Sequence, residues 1–444
     1  MQPARITLAS AVAVTLSLLA TACGGGAEGD QGDGPVVIEM WSWNEERTMQ
    51  PIVDEFNATH DDIQIRLVKQ VDITSAAANL RNAVASGEGV PCLVQSMTGV
   101  GEVPALTAEG LLIDVTDALQ PYLDDGVFNE AALPGAQVGD RYYGVPTGFN
   151  PSFMMINRAV YDEYGIEVPT TWDELIAAGE ELRPHGIYVM NLAGEDPSTL
   201  VNLVQQAGGS WYEIEGDAWR VDFLSEESRK AADIVQQLID KNLVAHQTYL
   251  DRPALIEYFD SGQMVSLPTS TWQLTKYEID FRNTIGDWQP MDLPQFSDAG
   301  EFVTPAHGGA EIVPDGCEHV EEAVEVSVWK ATNEEAINAT LDPETGAYAW
   351  PGAVPDPSPW VDSAVPERLF GERRGEARDV ILRAVQAGRD PWVVGPNYTG
   401  VFAELQDQWA NAVNGEITMV ELLERMQDFT VEDLRSKNIN VVGS

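Results

Sequence analysis

The chain has 444 residues, and its 71 Asp and Glu residues outnumber its 25 Lys and Arg residues, which gives a formal net charge of −46. Because a nucleic acid needs a positive surface, this charge excludes nucleic acid as a partner and disfavours an anionic membrane surface. The hydrophobic content of 44% is too high for a disordered acidic chain. A carboxylate-rich surface suits a salty exterior, where screening removes self-repulsion, so we hypothesise salt adaptation.

Residues 1–22 have the pattern of an export signal. A basic start precedes an apolar run from Ile6 to Ala20, which is shorter than the ~20 residues of a membrane span and ends in small residues. Cys23 follows directly, as in bacterial lipoproteins, where this cysteine is lipidated; an ordinary secretory signal is the alternative. Residues 23–34 are rich in glycine and predict a flexible tether. We therefore expect an exported protein, held at the outer face of the cell membrane only by its N-terminal lipid.

Two further cysteines, Cys92 and Cys317, remain in the body of the chain. Outside the cell an even number of cysteines favours a disulfide. Two buried free thiols are the alternative, since free cysteine behaves as a small hydrophobic residue.

The first part of the body alternates between strand and helix signals, and the length of the chain predicts two domains. The segments are, in chain order, a strand at 36–41, a helix through Met49 and Phe56, a strand at 63–67, a helix through Leu80 and Val84 that ends at Gly87, and a strand at 92–94. Strand, helix and strand in succession predict a parallel sheet, so this region is expected to be a doubly wound α/β domain.

Later segments carry clear helix signals. Thr171 with Glu174 and Thr418 with Glu421 have the spacing of capping boxes, and residues 231–239 present an apolar helical stripe. Residues 350–366 contain five prolines and are predicted to be irregular throughout, as a loop between two packed parts.

The sequence lacks the common catalytic and metal-binding motifs. The five histidines are scattered, and there is no zinc spacing, nucleophile elbow, dinucleotide fingerprint or phosphate-binding loop. We therefore predict no metal, no cofactor and no catalytic residue. A glycosidase needs a pair of catalytic carboxylates, but in a chain with 71 acidic residues some pair always has a suitable spacing, so the count does not distinguish a glycosidase from another protein. Twelve Trp and twelve Tyr residues are enough for rings that stack on sugars.

Several segments, in the same order along the chain, resemble the family 1 extracellular solute-binding proteins, the sugar-binding lipoproteins of bacterial ABC importers related to maltose-binding protein. They are residues 38–44 (IEMWSWN), 143–146 (YGVP) continuing to Asn157-Arg158, 169–175 (PTTWDEL), 308–314 (GGAEIVP) and 414–418 (NGEIT) before an amphipathic helix. The segment from YGVP to PTTWDEL is the most specific match. The resemblance extends from about residue 36 to the C-terminal end.

The resemblance implies an α/β, two-lobe periplasmic-binding-protein-like fold of type II, in which each lobe is a doubly wound sheet and the ligand binds in the cleft between the lobes. Strands would cross near 145–149 and 302–305. Lobe 1 would comprise 35–145 plus 303–348, and lobe 2 would comprise 146–302 plus 349–444. Cys92 and Cys317 would then lie on one lobe, which favours a disulfide between them.

Ligand contacts are carried over to matching positions, mostly at strand ends, where doubly wound sheets bind ligands. Trp272 matches a stacking tryptophan, Asn150 stands where the maltose-binding relative has a carboxylate, and Asp196 aligns with a second carboxylate across a one-residue gap. The other implied contacts are Trp43, Asn44, Glu45, Ser96, Thr98, Trp211, Gly308, Gly309 and Tyr398.

The resemblance implies a receptor that closes over a mono- or oligosaccharide and then docks on the transmembrane subunits of an ABC permease. It implies a monomer that performs no chemistry. A surface glycoside hydrolase is one alternative, and a binding protein for an amino acid or a peptide is another. The carboxylate of an amino acid normally pairs with an arginine, and no arginine lies in the implied loops, which favours a neutral sugar.

Overall fold

A computed structural model describes residues 34–44, 46–97, 102–216, 218–301, 303–342, 346, 348–389 and 392–442. The export signal, Cys23 and nearly all of the tether lie outside the described residues, as do Glu45 and Thr98. None of the helices in these ranges is long and apolar enough to cross a membrane.

The N-terminal part of the body contains six strands and four helices. They are β1 (Val36–Ser42), α1 (Glu46–Thr59), β2 (Ile63–Lys69), α2 (Ile73–Ser86), β3 (Leu93–Met97), α3 (Glu102–Ala108), α4 (Thr116–Asp124), β4 (Gln137–Val138), β5 (Arg141–Tyr142) and β6 (Gly144–Asn157). The predicted order from β1 to β3 is confirmed, and β1 pairs in parallel with both β2 and β3. Helix α2 ends where Gly87 adopts a φ of 68°, which glycine does without steric cost.

The middle of the chain continues with short strands between helices. They are α5 (Arg158–Tyr164), α6 (Trp172–Leu182), β7 (Met190–Asn191), α7 (Ser198–Gln206), β8 (Tyr212–Glu215), β9 (Ala218–Val221), α8 (Glu226–Asp240), β10 (Val244–Ala245), α9 (Arg252–Asp260), β11 (Ser266–Ser270), α10 (Leu274–Asp280), β12 (Trp288–Met291) and β13 (Thr304–Ile312). The capping box of α6 is confirmed, because Thr171 and Glu174 satisfy each other's backbone N–H groups.

The C-terminal part is mostly helical. It contains α11 (Val320–Thr332), α12 (Glu334–Ala339), α13 (Ser358–Ala364), α14 (Glu367–Phe370), α15 (Arg374–Ala387), β14 (Gly388–Arg389), α16 (Tyr398–Val413), α17 (Met419–Ser436) and β15 (Val441–Val442). The capping box of Thr418 and Glu421 at the start of α17 is confirmed. The prediction that 350–366 is irregular throughout is wrong, because α13 begins inside it. Pro359 lies in the first turn of α13, where its missing N–H has no intrahelical partner to lose.

Strands β6 and β13 run antiparallel through the centre of an eight-stranded sheet, whose main path has the order β11-β6-β13-β3-β1-β2. At one end of β6, Val145 packs in a hydrophobic core that contains β1, β2, β3 and α11, which we call lobe 1. At the other end, Met154 and Ile156 pack in one core and Phe153 and Met155 in another. These two cores lie on opposite faces of β6, since strand side chains alternate, and together they form lobe 2.

Lobe 1 is stabilised by two long-range connections. Cys92, just before β3, forms a disulfide with Cys317, with their Cα atoms 4.8 Å apart, so the alternative of two free thiols is wrong. Glu311 on β13 pairs with Lys330 on α11 at 2.7 Å, and the Ser327 hydroxyl donates to the other carboxylate oxygen at 2.6 Å. The disulfide joins the segment after β13 to the start of β3, and the ion pair joins β13 to α11.

Candidate functional site

The strand ends of lobe 1 meet the middle of the crossing strands. Trp43 and Asn44 follow β1, and the parallel neighbour β3 ends at Met97 along the same edge. Met97 lies opposite Gly309 on β13, and two residues earlier on that strand His307 lies opposite Asn150 of β6. The register therefore brings the predicted contacts on lobe 1 close to the centre of β6 and β13.

In lobe 2, strand β11 also ends near the middle of the crossing strand β6. Ser270, the last residue of β11, lies opposite Ser152 on β6. The chain then turns, and the Thr271 hydroxyl donates to Asn150 Oδ1 at 3.2 Å. Asn150 Nδ2 donates to the carbonyl oxygen of His307 at 3.3 Å. Asn150 thus links both crossing strands to the loop of lobe 2 that precedes Trp272.

Trp272 presents an aromatic ring at this site. Its side chain is 51% exposed, an unusual position for so large an apolar group. The ammonium group of Lys276, one turn further along the chain, lies 4.9 Å from the centroid of the indole ring, which is a cation–π arrangement. A cation on the first turn of α10 therefore lies against the ring, while about half of the Trp272 side chain remains exposed.

A loop after β10 is fixed beside Asp196. The Glu195 carboxylate accepts a hydrogen bond from the Thr248 hydroxyl at 2.6 Å and another from the Tyr249 N–H at 2.7 Å. Burial would raise the pKa of Glu195, but these hydrogen bonds outweigh it and lower the pKa. Asp196 Oδ1 accepts from the Ser198 N–H at 3.0 Å, at the start of α7. This loop is therefore held in one arrangement, which presents the Tyr249 ring with 45% of its surface exposed.

The Asp196 carboxylate acts on both Tyr249 and His307. Burial raises the pKa of Tyr249, and the Asp196 carboxylate raises it further. Burial lowers the pKa of His307, and the same carboxylate opposes that effect in part. Both side chains are nevertheless accessible to water. The Asp196 carboxylate therefore lies near two accessible side chains, one on the loop after β10 and the other in the middle of β13.

Gly309 has a packing role in the structure. A Cβ atom at this position would lie 3.3 Å from Thr147 Oγ1 and 3.4 Å from the carbonyl oxygen of Ser96. The pairing of β6 with β13 also shifts register between Gly309 and Ala310. The absence of a side chain therefore lets three strands approach closely where the sheet passes from one lobe to the other.

Two predicted contacts are fully buried in the core of lobe 2. The Trp211 ring stacks on Phe223 with centroids 4.3 Å apart, and its Nε1 donates to Ser228 Oγ at 3.2 Å. Tyr398 has no exposed surface, and burial is the main cause of its raised pKa. Ser96 is also buried. Neither aromatic ring is exposed to a ligand in this structure, and the ligand contacts of Trp211 and Tyr398 stay predictions.

Three residues of the cleft escaped the sequence analysis, namely Thr271, Tyr249 and His307. Thr271 is next to the predicted contact Trp272, and His307 is next to the predicted contact Gly308. Their position in the sequence therefore indicates that they lie near the site. Tyr249 follows β10, which has only two residues and is too short to recognise from a pattern. Within the described residues, no group of three or more His, Cys, Asp or Glu side chains is arranged to hold a metal ion.

The bacterial extracellular solute-binding protein family matches this chain over residues 42–337. The arabinooligosaccharide-binding protein of Halalkalibacterium halodurans is 23% identical over 321 residues, which are 69% of this chain and 70% of the relative. The arabinooligosaccharide-binding protein of Bacillus subtilis is 24% identical over 339 residues, covering 72% and 74%.

A solved structure is similar over nearly the whole chain. The galacto-N-biose-/lacto-N-biose I-binding protein of the ABC transporter from Bifidobacterium longum, in complex with lacto-N-biose, superposes with a TM-score of 0.78 at 25% identity, covering 93% of this chain and 100% of that chain. The expected two-lobe periplasmic-binding-protein-like fold is thereby confirmed. The sequence match and the fold agree, and the chain belongs to the bacterial extracellular solute-binding protein family.

Proposed function

We propose that this protein is the substrate-binding component of an ABC importer and captures a neutral mono- or oligosaccharide in the cleft between its lobes. The observation that carries the proposal is the half-exposed ring of Trp272 directly beside the hydrogen bond between Thr271 and Asn150. The apolar face of a sugar packs on such a ring, while amides and carboxylates bind its hydroxyl groups. The names of the relatives support a carbohydrate, since they bind arabinooligosaccharides and lacto-N-biose.

Each lobe contributes part of the proposed site. Trp272, Asn150 and Asp196 would bind the sugar from lobe 2 and the crossing strands. Trp43 and Asn44 would contact it from lobe 1 when the cleft closes. Asn44 is exposed, and Trp43 is partly buried against the core of lobe 1, at the carboxyl end of β1. Predicted contacts that this proposal does not use are Glu45, Ser96, Thr98, Trp211, Gly308, Gly309 and Tyr398.

We propose that the lobes comprise 35–145 plus 303–348 and 146–302 plus 349–444, and that closure bends β6 and β13. A sugar that contacts both lobes binds the closed form more tightly than the open form, so it shifts the population towards closure. The closed monomer would then dock on the transmembrane subunits of the permease. No bond in the sugar needs to be made or broken, so we propose that the protein is not an enzyme.

The attachment to the membrane is part of the proposal. Cys23 would carry the lipid after removal of residues 1–22, and residues 23–34 would hold the body away from the bilayer. Labelling of cells with a fatty-acid analogue tests this step, because Cys23→Ser should abolish incorporation of the label.

Isothermal titration calorimetry with a panel of arabinobiose, arabinotriose, lacto-N-biose, galactobiose and maltose tests the function. We expect saturable binding of at least one sugar, without release of reducing ends. Amino acids and a dipeptide serve as the comparison set. Binding of these, with no response to any sugar, would overturn the assignment, and an increase in reducing ends would favour a glycoside hydrolase.

A further inference from the structure

His307 occupies the centre of the cleft floor without a hydrogen-bond partner for its ring. It lies in the middle of β13, opposite Asn150, where the lobes join. Its backbone carbonyl accepts from Asn150 Nδ2, but neither imidazole nitrogen forms a hydrogen bond with any residue of the described ranges. Because the ring is partly exposed where the two lobes join and no described protein group is hydrogen-bonded to it, both nitrogens can bind a group from outside the protein.

The surroundings of His307 are anionic. Asp196 is the charged residue that acts on the imidazole, and in the part of the chain that the structure describes no lysine or arginine forms an ion pair with Asp196. Tyr249, on the loop held by Glu195, faces the same carboxylate. Lys276 is a cation of this region, and it lies over the ring of Trp272. The floor therefore offers hydrogen-bonding groups and one carboxylate.

Building on the proposed function, we propose that His307 binds a hydroxyl group of the sugar and that, together with Asp196, it makes the cleft floor selective for an uncharged sugar over an acidic one. A neutral imidazole has one N–H donor and one acceptor nitrogen, which matches a hydroxyl group. Burial keeps the ring in this neutral form. An acidic sugar would bring a second carboxylate towards Asp196, with which no lysine or arginine of the described ranges forms an ion pair, and like charges repel strongly at low dielectric.

Two variants of His307 test the contact. His307→Ala removes the ring, and His307→Gln restores a donor and an acceptor at similar reach. His185→Ala is the matched control, since His185 is exposed in the short helix Arg183–His185, away from β13. We expect His307→Ala to weaken binding of the tightest panel sugar at least tenfold, His307→Gln to recover part of the loss, and His185→Ala to bind like the wild type. Thermal unfolding of each variant checks that the fold is intact.

The selectivity is tested with a matched pair of probes. One is the panel sugar that binds, such as galactobiose or arabinobiose, and the other is its derivative with a primary hydroxyl oxidised to a carboxylate. We expect the wild type to prefer the neutral sugar at least tenfold and Asp196→Asn to narrow that preference. Equal affinity of the wild type for both probes would overturn the selectivity.

The outcomes separate this inference from the function on which it rests. If a panel sugar binds and His307→Ala binds it as tightly as the wild type, the inference fails while the sugar-binding function stands. If no panel sugar binds the wild type, the proposed function fails and this inference fails with it.

Discussion

The Thr271 hydroxyl donates to Asn150 Oδ1 at 3.2 Å and so ties the loop that precedes α10 to the strand that joins the two lobes. Asn150 in turn donates to the backbone of His307 on the neighbouring strand. Trp272 follows Thr271 directly, so a chain of hydrogen bonds fixes the backbone beside Trp272 relative to the two crossing strands. A ligand that stacks on this ring meets a surface that needs little reorganisation.

Removal of the Trp272 ring should weaken sugar binding and leave the fold intact. We expect Trp272→Ala to reduce affinity by about 2 kcal/mol, roughly 30-fold, which is typical of a tryptophan at the centre of a binding site. Calorimetric titration with the panel sugar measures the loss. Ile279→Ala is the control, because Ile279 is similarly exposed, at 48%, near the end of α10. Equal affinities of the wild type and Trp272→Ala would remove this residue from the site.

Local rules account for the parts of the fold that were predictable. The apolar spacing of β1, α1 and β2 and the two capping boxes depend on residues a few positions apart, so pattern alone identifies them. The error at 350–366 has a local cause as well. Proline disrupts a helix interior but not its first turn, and Pro359 lies in the first turn of α13.

The burial of side chains could not be predicted in the same way. Trp211 and Trp272 both follow turn or strand signals, yet one is fully buried and the other is half exposed. Phe223 and Trp392 both pack on the ring of Trp211, and Trp392 comes from a distant part of the chain. His307 likewise depends on the distant Asp196. Spacing along the sequence carries no information on such contacts.

The buried pair of Glu311 and Lys330 should be important for the stability of lobe 1. The two side chains are only 1% and 12% exposed. Lys330→Met leaves the Glu311 carboxylate without its cation in a buried site, and we expect a loss of about 3 to 5 kcal/mol in the free energy of unfolding. Chemical denaturation measures it. Lys437→Met is the control, since Lys437 pairs with Asp433 at 2.8 Å but is 50% exposed, and it should cost no more than about 1 kcal/mol. Similar losses for both variants would contradict this account.

The disulfide should stabilise the protein by restricting the unfolded chain. Cys92 and Cys317 are separated by 225 positions, and a closed loop of this length corresponds to roughly 5 kcal/mol on the chain-entropy model. We expect the double variant Cys92→Ser, Cys317→Ser to melt at a clearly lower temperature than the oxidised wild type. Reductant should lower the melting temperature of the wild type but not that of the double variant. An insensitive wild type would show that the bond contributes little.

The charge of −46 should make stability dependent on salt. Carboxylates repel one another in the folded state, and added ions screen that repulsion. We expect the melting temperature to rise steadily from low to molar sodium chloride. The same series in sucrose is the control for a general cosolvent effect. A melting temperature that stays constant across the salt series would argue against salt adaptation.

Protonation of His307 should lower stability in mildly acidic solution. Burial lowers the pKa of His307 below its ordinary value of 6.5, and the nearby Asp196 carboxylate reduces but does not cancel this shift. Below pH 6.5 this histidine is therefore protonated in the unfolded chain, whereas in the folded protein it stays neutral to a lower pH. The neutral ring makes its full contribution to the free energy of unfolding above pH 6.5. As the pH falls from there towards the pKa of the folded state, the free energy of unfolding decreases by at most about 1.4 kcal/mol per pH unit.

Comparison with His307→Gln isolates this effect from the titration of the many carboxylates. The free energy of unfolding is measured by urea denaturation between pH 8 and pH 5 for both proteins. We expect the stability of the wild type relative to His307→Gln to decrease as the pH falls below 6.5, because glutamine does not titrate. Parallel pH profiles for the two proteins would mean that His307 has the same pKa in the folded and unfolded states, contrary to its recessed position beside Asn150.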